Sequence, residues 1–485
     1  METPILVWLR RNLRLRDNAA IDAAARSGRP IVFVYIVNAL DDGGASRWWL
    51  HHSLAGLDDD LRCRGSRLVL RKGDAAVELP ALVEETGAGA LHLTRRYEPR
   101  ARAEQQAVRR RLEDRIDVRL FDDSLLLRPG DVLTQAGAPY KVFTPYYRAA
   151  TAFGPPDSPL PAPDTLQGPQ RWPRSLALDD LALLPTKPDW AGGLRDTWSP
   201  GETAALEQLD IAASNAARYA EVRDRPDLDQ TTRLSPRLHF GELSPRQVWH
   251  AVRGTNASAR GERGTDALLR QLVWREFSYY LLHHFPALPC APLRPEFEYF
   301  PWQSDDRLLR AWQTGATGYP IVDAGMRQLW HSGWMHNRVR MIVASFLVKN
   351  LMIDWQTGAE WFLDTLVDAD LANNSAGWQW VAGCGTDAAP YFRIFNPLLQ
   401  SRKFDPDGSY IRRWVPELAA LPNDQIHEPS GADGLTLNLA GIRLGTDYPL
   451  PIVDLASTRQ EALAAYRELR GLLQSTADSP GSSAG

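Results

Sequence analysis

Around residue 150 the chain changes character, and that change limits the folds open to it more than any other feature. Before it, apolar runs at 5–9 (ILVWL), 30–37 (PIVFVYIV), 66–73 (SRLVLRKG) and 90–97 (ALHLTRRY) alternate with Ala-, Leu- and charge-rich stretches at 48–62 and 102–115. Runs of this kind suit strands buried on both faces, so the alternation predicts an α/β domain built on a doubly wound parallel sheet. From about residue 202 to 473 the strand signals vanish and helical patterns take over, which predicts a larger all-α domain. Between them, FGPPDSPLPAPDTLQGPQRWPRS and LLPTKPDWAGG carry too much proline for a helix interior or a central strand, so an extended connector is expected. The expected boundaries are an α/β domain at 1–131, a linker at 132–200, a helical domain at 201–475 and a disordered low-complexity tail at 476–485.

The length of 485 residues allows two or three domains with a sizeable core. No apolar run reaches the length of a membrane span, and METPILVWLRRN enters a strand-like run without a signal-peptide pattern, so a cytoplasmic location is expected by default. Cys63, Cys290 and Cys384 are odd in number and widely spaced, suggesting neither a disulfide framework nor a Cys-based metal site. His283 and His284 are adjacent and diverge on a helix, so they do not suggest a shared metal either. With a formal net charge of -4, any nucleic-acid contact has to come from a local patch. The run Arg109-Arg110-Arg111 reads as a solvated helix face. No G-x-G-x-x-G follows the first strand, since Gly87-Ala88-Gly89 does not complete the pattern. The 17 Trp outnumber the 14 Tyr and the 14 Phe, and that surplus raises the question of stacking or electron transfer.

Residues 368–397 look like a site, because they gather Asp368, Asp370, Asn373, Asn374, Trp378, Trp380 and Arg393 with almost no aliphatic run. If 374–381 is helical, Asn374 and Trp378 share a face while Trp378 and Trp380 diverge, so one helix could show its two indoles to different neighbours. Packing is the plainer reading of a W-x-W, but buried polar neighbours need partners, and a ligand is a natural one. Ser235-Pro236 and Ser244-Pro245 each place a capping hydroxyl before proline at a helix start. With Thr231, Thr232 and Arg233 just ahead, the first of these suits a phosphate or simple capping equally. On the stretch 267–286, Gln271 and Trp274 share a helix face, and on 331–355, Asn337, Met341 and Ser345 do so. Arg338 reads as a phosphate contact, and Arg340 as a partner for a carboxylate such as Asp368.

Phe240-Gly241-Glu242-Leu243-Ser244-Pro245-Arg246, Trp274-Arg275-Glu276-Phe277, Gly333-Trp334-Met335-His336-Asn337-Arg338, the 368–397 stretch and YKVFTPYYR at 140–148 together resemble the photolyase/cryptochrome family. Within it they are most similar to class I cyclobutane pyrimidine dimer photolyases, and the resemblance covers nearly the whole chain. It implies an N-terminal antenna domain, a helical domain holding FAD, and light-driven electron donation from reduced FAD to a cyclobutane dimer in UV-damaged DNA, splitting the ring. Carried over by position, the flavin site comprises Tyr219, Thr231, Thr232, Arg233, Leu234, Ser235, Gln271, Arg340, Asp368, Ala369, Asp370 and Asn374. Trp274 and Trp380 would flank the flipped dimer, with Gln271 and Met341 touching it, and Arg275, Asn337, Arg338, Arg393 and Lys403 would meet DNA. Trp302, Trp355 and Trp378 match the relay that photoreduces the flavin. Asn374, beside the flavin N5, could hydrogen-bond without supplying a proton.

Photolyases for (6-4) lesions resemble one another in carrying two His where this chain has Asn337 and Met341, and plant-type cryptochromes tend to lose the tryptophans that are present here as Trp274 and Trp380. Dimer repair is favoured, with a cryptochrome-like photoreceptor as the alternative. Two departures stand out, Gln271 in place of a Glu and Leu268 in place of a Trp. The stretch from Tyr97 to Ala101 lacks the Asn-Glu pair that holds methenyltetrahydrofolate in folate-type relatives, so the second, antenna chromophore could be a folate held differently, a deazaflavin, a flavin, or nothing. Residues 43–51 (GGASRWWLH) are the expected edge of its pocket. The chain is expected to act as a monomer, without a membrane or an obligate protein partner.

Overall fold

The computed structural model describes residues 2–38, 43–254, 259–387 and 392–477. The expected tail, from residue 478 on, and residues 388–391 of the 368–397 stretch lie outside the described residues.

Five parallel strands, β1 (Ile5–Leu9), β2 (Ile31–Val37), β3 (Leu68–Lys72), β4 (Ala90–Thr94) and β5 (Asp117–Phe121), form one sheet in the order β3-β2-β1-β4-β5. Between them run α1 (Ala19–Arg26), α2 (Gly44–Arg62), α3 (Ala75–Thr86) and α4 (Pro99–Leu112). The sheet is doubly wound because successive strands are added on one side of β1 and then on the other, which puts the reversal between β1 and β4. β1 and β4 are buried along their whole length, as continuous apolar runs require. Leu6, Trp8, Val34, Leu79, Leu91 and Val108 belong to the core on one face of the sheet.

β5 was not anticipated by the sequence pattern. DVRLF is only half-buried and carries Asp117 and Arg119 on an edge strand, so it offers no apolar run to read. The third and fourth strands end earlier than the runs at 66–73 and 90–97 suggested, because ladder pairing stops at Lys72 and Thr94.

The proline-rich stretch has little regular structure but is tied down. Gln167 and Arg64 carbonyls accept from Ile31 and Leu166 amides at 2.8 Å each, and the Leu176 amide donates to Leu70 at 3.0 Å. Backbone that cannot join a ladder is thus satisfied piecemeal along the sheet's own chain.

Contacts divide the chain into two compact units. The first comprises Met1–Glu221, Gln230–Pro286 and Leu363–Ala372, and the second Val222–Asp229, Ala287–Phe362 and Asn373–Gly485. Besides the sheet, the first contains helices packed through Leu209, Leu243, Val248, Leu269 and Leu272. The second is helical around Trp312, Phe346, Phe362 and Trp378.

The FGELSPR motif acts in the first unit as structural glue. Gly241 is left-handed (φ 69°) and lies so close to the Arg11 carbonyl that a Cβ would not fit. Glu242 is fully buried, and its carboxylate accepts from Trp49 Nε1 at 2.9 Å, the Gly201 amide at 2.7 Å, Arg237 at 2.8 Å and the Ser53 hydroxyl. A buried carboxylate is tolerable only when so fully satisfied. Ser244 and Gln247 close a capping box, amide to side chain in both directions at 2.7 and 3.0 Å. Ser235, expected as a cap, is instead the first helical residue of Ser235–Phe240, with Leu234 in the cap position and no side-chain cap bond. Arg109, Arg110 and Arg111 are exposed, as a solvated face should be.

Candidate functional site

Within the first unit, the Ala259–His284 helix presents Gln271, Trp274 and Arg275 as half-buried side chains. One face of the Trp274 indole is covered by Phe143, stacked at 3.5 Å and 7°, and Phe277 meets it edge-on at 5.9 Å. Gln271 donates its amide back to the Ala267 carbonyl at 3.3 Å. Arg275 donates to the Ser124 carbonyl at 3.2 Å, pairs with Glu276 at 3.1 Å and lies over the Tyr279 ring at 4.9 Å. Glu276 is buried and accepts from the Leu126 amide at 2.7 Å, and burial pushes its carboxyl up to about 7 despite Arg275.

Asp368 and Asp370 are both buried in the same unit. Asp370 accepts from the Tyr279 hydroxyl and lies 3.7 Å from His239 Nδ1. Burial raises its pKa, but the neighbouring His239 and Arg275 and the Tyr279 hydroxyl win and hold it well below the usual carboxylate range. Asp370 is therefore a fixed anion. Tyr219 and the Thr231, Thr232 and Arg233 side chains are half-buried, Leu234 is buried and Ser235 exposed. Arg233 is left-handed (φ 50°), an uncommon conformation for a non-glycine residue, and its guanidinium lies 5.7 Å from the Trp198 ring.

Within the second unit, the expected helix at 374–381 is part of Leu371–Ala382. Asn374 is half-buried and donates to the Ala359 carbonyl at 3.0 Å. Trp378 is 3% exposed and boxed edge-on by Phe362 at 5.0 Å and Trp312 at 6.3 Å. Gly358 abuts its ring where a Cβ could not stand. Trp380 points elsewhere, half-buried, with its Nε1 donating to the Asp387 carbonyl at 3.2 Å. Trp355 is buried and Trp302 half-buried, and the Gln303 amide, donating to Met352 at 2.7 Å, ties their two segments side by side. Of the three indoles expected as a relay, Trp378 and Trp355 are therefore buried and Trp302 is half-buried.

Trp312 is a buried indole beside Trp378 that the sequence did not single out. It is fully buried, donates to the Val343 carbonyl at 2.9 Å and touches Trp378, yet DRLLRAWQT reads as an ordinary amphipathic helix with no signal to single it out.

The Asn337–Ser345 helix carries Asn337, Arg338, Arg340 and Met341. The Asn337 amide lies 3.9 Å from Met341 Sδ, which confirms their common face. Arg338 is half-buried, paired with Asp224 at 2.9 Å and stacked over Phe404 at 4.4 Å, so it is more constrained than a free surface cation. Arg340 donates to the Met335 carbonyl at 2.7 Å. Arg393 and Lys403 are exposed. Among the described residues, no helix is long and apolar enough to cross a membrane.

The first unit supplies a buried carboxylate at Asp370 and two threonine hydroxyls beside Arg233, and the second supplies a carboxamide at Asn374 and the Arg340 guanidinium, each a kind of group that a flavin dinucleotide can use. The profile of the FAD binding domain of DNA photolyase matches residues 268–468, and that of DNA photolyase matches residues 5–164. A deoxyribodipyrimidine photo-lyase of Agrobacterium fabrum is 50% identical over 471 residues, 96% of this chain and 98% of that protein. Cryptochrome-1 of Arabidopsis thaliana is 36% identical over 484 residues, 96% of this chain and 70% of that protein. The crystal structure titled as a bacterial class III photolyase from Agrobacterium tumefaciens superposes with a TM-score of 0.94 at 49% identity, covering 97% of this chain and 98% of that one. The class I likeness of the motifs therefore stands beside a class III structure, and photolyase is the level the two share.

Proposed function

The chain belongs to the DNA photolyase and cryptochrome family, and on that premise we propose that it is an FAD-dependent lyase that splits cyclobutane pyrimidine dimers in UV-damaged DNA. When bound, FAD supplies a light-driven electron. The chain's own residues do the rest. Asp370 and Arg340 provide fixed charges of opposite sign, Thr231, Thr232 and Arg233 suit the pyrophosphate, and Asn374 offers an amide that cannot act as an acid.

The observation that carries this reading is Trp274. Phe143 fixes the indole from one side while the residue stays only partly buried, which suits a platform for an extruded base. Stacking on an already immobilised ring costs little further side-chain entropy. By the family resemblance Trp380 would also flank the dimer, with Gln271 and Met341 touching it. Gln271 can donate to a thymine carbonyl but cannot supply a carboxyl proton. Arg275, Asn337, Arg338, Arg393 and Lys403 would meet phosphates. Trp378, Trp355 and Trp302 would return electrons from solvent to the flavin, with Trp312 as an additional indole beside Trp378. The domain limits at 1–131, 132–200 and 201–475 belong to the same proposal, as do a monomeric state and a cytoplasmic location.

A second chromophore, a folate or a deazaflavin, would bind the α/β domain. Arg10 supports this. It lies just past β1, where the sheet order reverses, with its guanidinium over Trp8 at 4.2 Å. Its Nε and Nη1 are buried and have no hydrogen-bond partner among the described residues. Burial and then Arg96 pull its pKa down to about 9, so an anionic group would be welcome there. Glu98 is already engaged by Arg96, at 3.0 Å from Nε, which counts against a pteridine held by that carboxylate. Denaturing extraction and mass determination would identify the chromophore.

The reading is tested by illuminating the reduced protein with a dimer-containing oligonucleotide and following thymine absorbance. Recovery supports it; a flavin-bearing chain that never restores the band is the cryptochrome-like photoreceptor of the alternative reading.

A further inference from the structure

Helices open most often on Ser, Thr, Asp or Asn, whose oxygens accept an orphan amide. The Asn337–Ser345 helix opens on His336 instead. Its backbone is extended (φ -57°, ψ 136°), and its Nδ1 accepts from the Arg338 amide at 3.1 Å. A ring nitrogen can accept only when it carries no proton, so this imidazole must be neutral with its hydrogen on Nε2. The residue is 2% exposed, and its ring stands perpendicular to that of Trp334 at 6.4 Å.

The turn around it is tied twice more. The Arg340 side chain donates to the Met335 carbonyl at 2.7 Å, and the Ser332 hydroxyl donates to the Trp334 carbonyl at 3.1 Å. The helix that follows carries Asn337 against Met341 and the Arg338–Asp224 pair.

We infer that His336 is a positioning residue: its neutral Nδ1 fixes the first turn of the helix and so holds Asn337, Arg338 and Met341 as one rigid edge toward damaged DNA. The inference rests on the function proposed above. A neutral cap has a specific merit here. An Asp would satisfy the same amide but would add an anion beside Arg338 and Arg340, opposing phosphate approach, whereas imidazole leaves the positive end of the helix intact.

The groups facing His336 are Asp224 and the Arg223 carbonyl, which favour its proton, and Arg338 and Arg340, which oppose it. Burial outweighs them and lowers its pKa to about 4, so the acceptor survives throughout the neutral range.

The test compares the FAD-loaded wild type with His336→Asn, which keeps an acceptor, and His336→Ala, which does not. Two readouts are needed, hydrogen exchange at residues 337–341 and affinity for dimer-containing and undamaged duplex in the dark. Loss of a cap should speed exchange roughly fivefold in the Ala variant and leave the Asn variant near wild type. Dimer affinity should follow the same order. Exchange unchanged in the Ala variant, or an Asn variant that folds but is not rescued, would overturn the cap. Faster exchange with unaltered dimer affinity would overturn the positioning role. A wild type that does not distinguish dimer from undamaged duplex refutes the proposed function instead, while exchange still decides the cap.

Discussion

Trp274 and Trp378 are the same residue in opposite settings. The first is half-buried with one face pinned by Phe143, and the second is enclosed edge-on by Phe362 and Trp312 with no room even for a methyl on Gly358. In the proposed function the partly exposed indole receives a flat ligand, whereas the enclosed one passes on only an electron. In that proposal, what surrounds each ring, rather than the ring itself, sets its role.

The contrast can be broken most forcefully at Trp378. Replacing it with Ala should cost about 3–5 kcal/mol of stability, read by denaturant unfolding, because the aromatic box cannot collapse around the void. Trp378→Phe should keep most of the fold yet slow flavin photoreduction severely in a laser-flash measurement. Trp274→Ala should do the reverse. Folding should change far less, while affinity for a dimer-bearing duplex should fall by about 1–3 kcal/mol, the worth of one stacked base.

A smaller effect concerns the helix that carries Trp274. Glu276 has a folded pKa of about 7 against an ordinary 4.5, so the folded state holds its proton more tightly than the unfolded state. The stability this contributes is fully present below about 4.5 and is lost as pH rises through about 7. Glu276→Gln should flatten that part of the stability profile in unfolding measured across pH, and an unchanged slope would show that the proton is not there. The smallest effect belongs to the exposed cations: Arg393→Ala or Lys403→Ala should each lower the salt dependence of DNA binding by about one phosphate equivalent.

Some of this was legible in the sequence and some was not, for physical reasons. β1 and β2 announce themselves because strands buried on both faces are apolar throughout, while β5 hides because an edge strand tolerates Asp117 and Arg119. The divergence of Trp378 and Trp380 followed from helical geometry alone. Trp312 had no such signature, since what sets it apart is a contact with a residue 66 positions away. The FGELSPR motif was visible as a motif, but its structural purpose was not, because the partners of Glu242 include Trp49, Ser53 and Gly201, far away in the chain. Ser235 looked like a cap by composition, yet the cap position fell one residue earlier.

The most direct test of the account separates the two indoles in one repair assay. With the flavin reduced chemically, so that no relay is required, wild type, Trp378→Phe and Trp274→Ala are illuminated with dimer-containing oligonucleotide. The account predicts that the Trp378→Phe protein repairs as wild type does while the Trp274→Ala protein repairs poorly at limiting DNA. Equal loss in both variants, or no repair by the wild type, would contradict it.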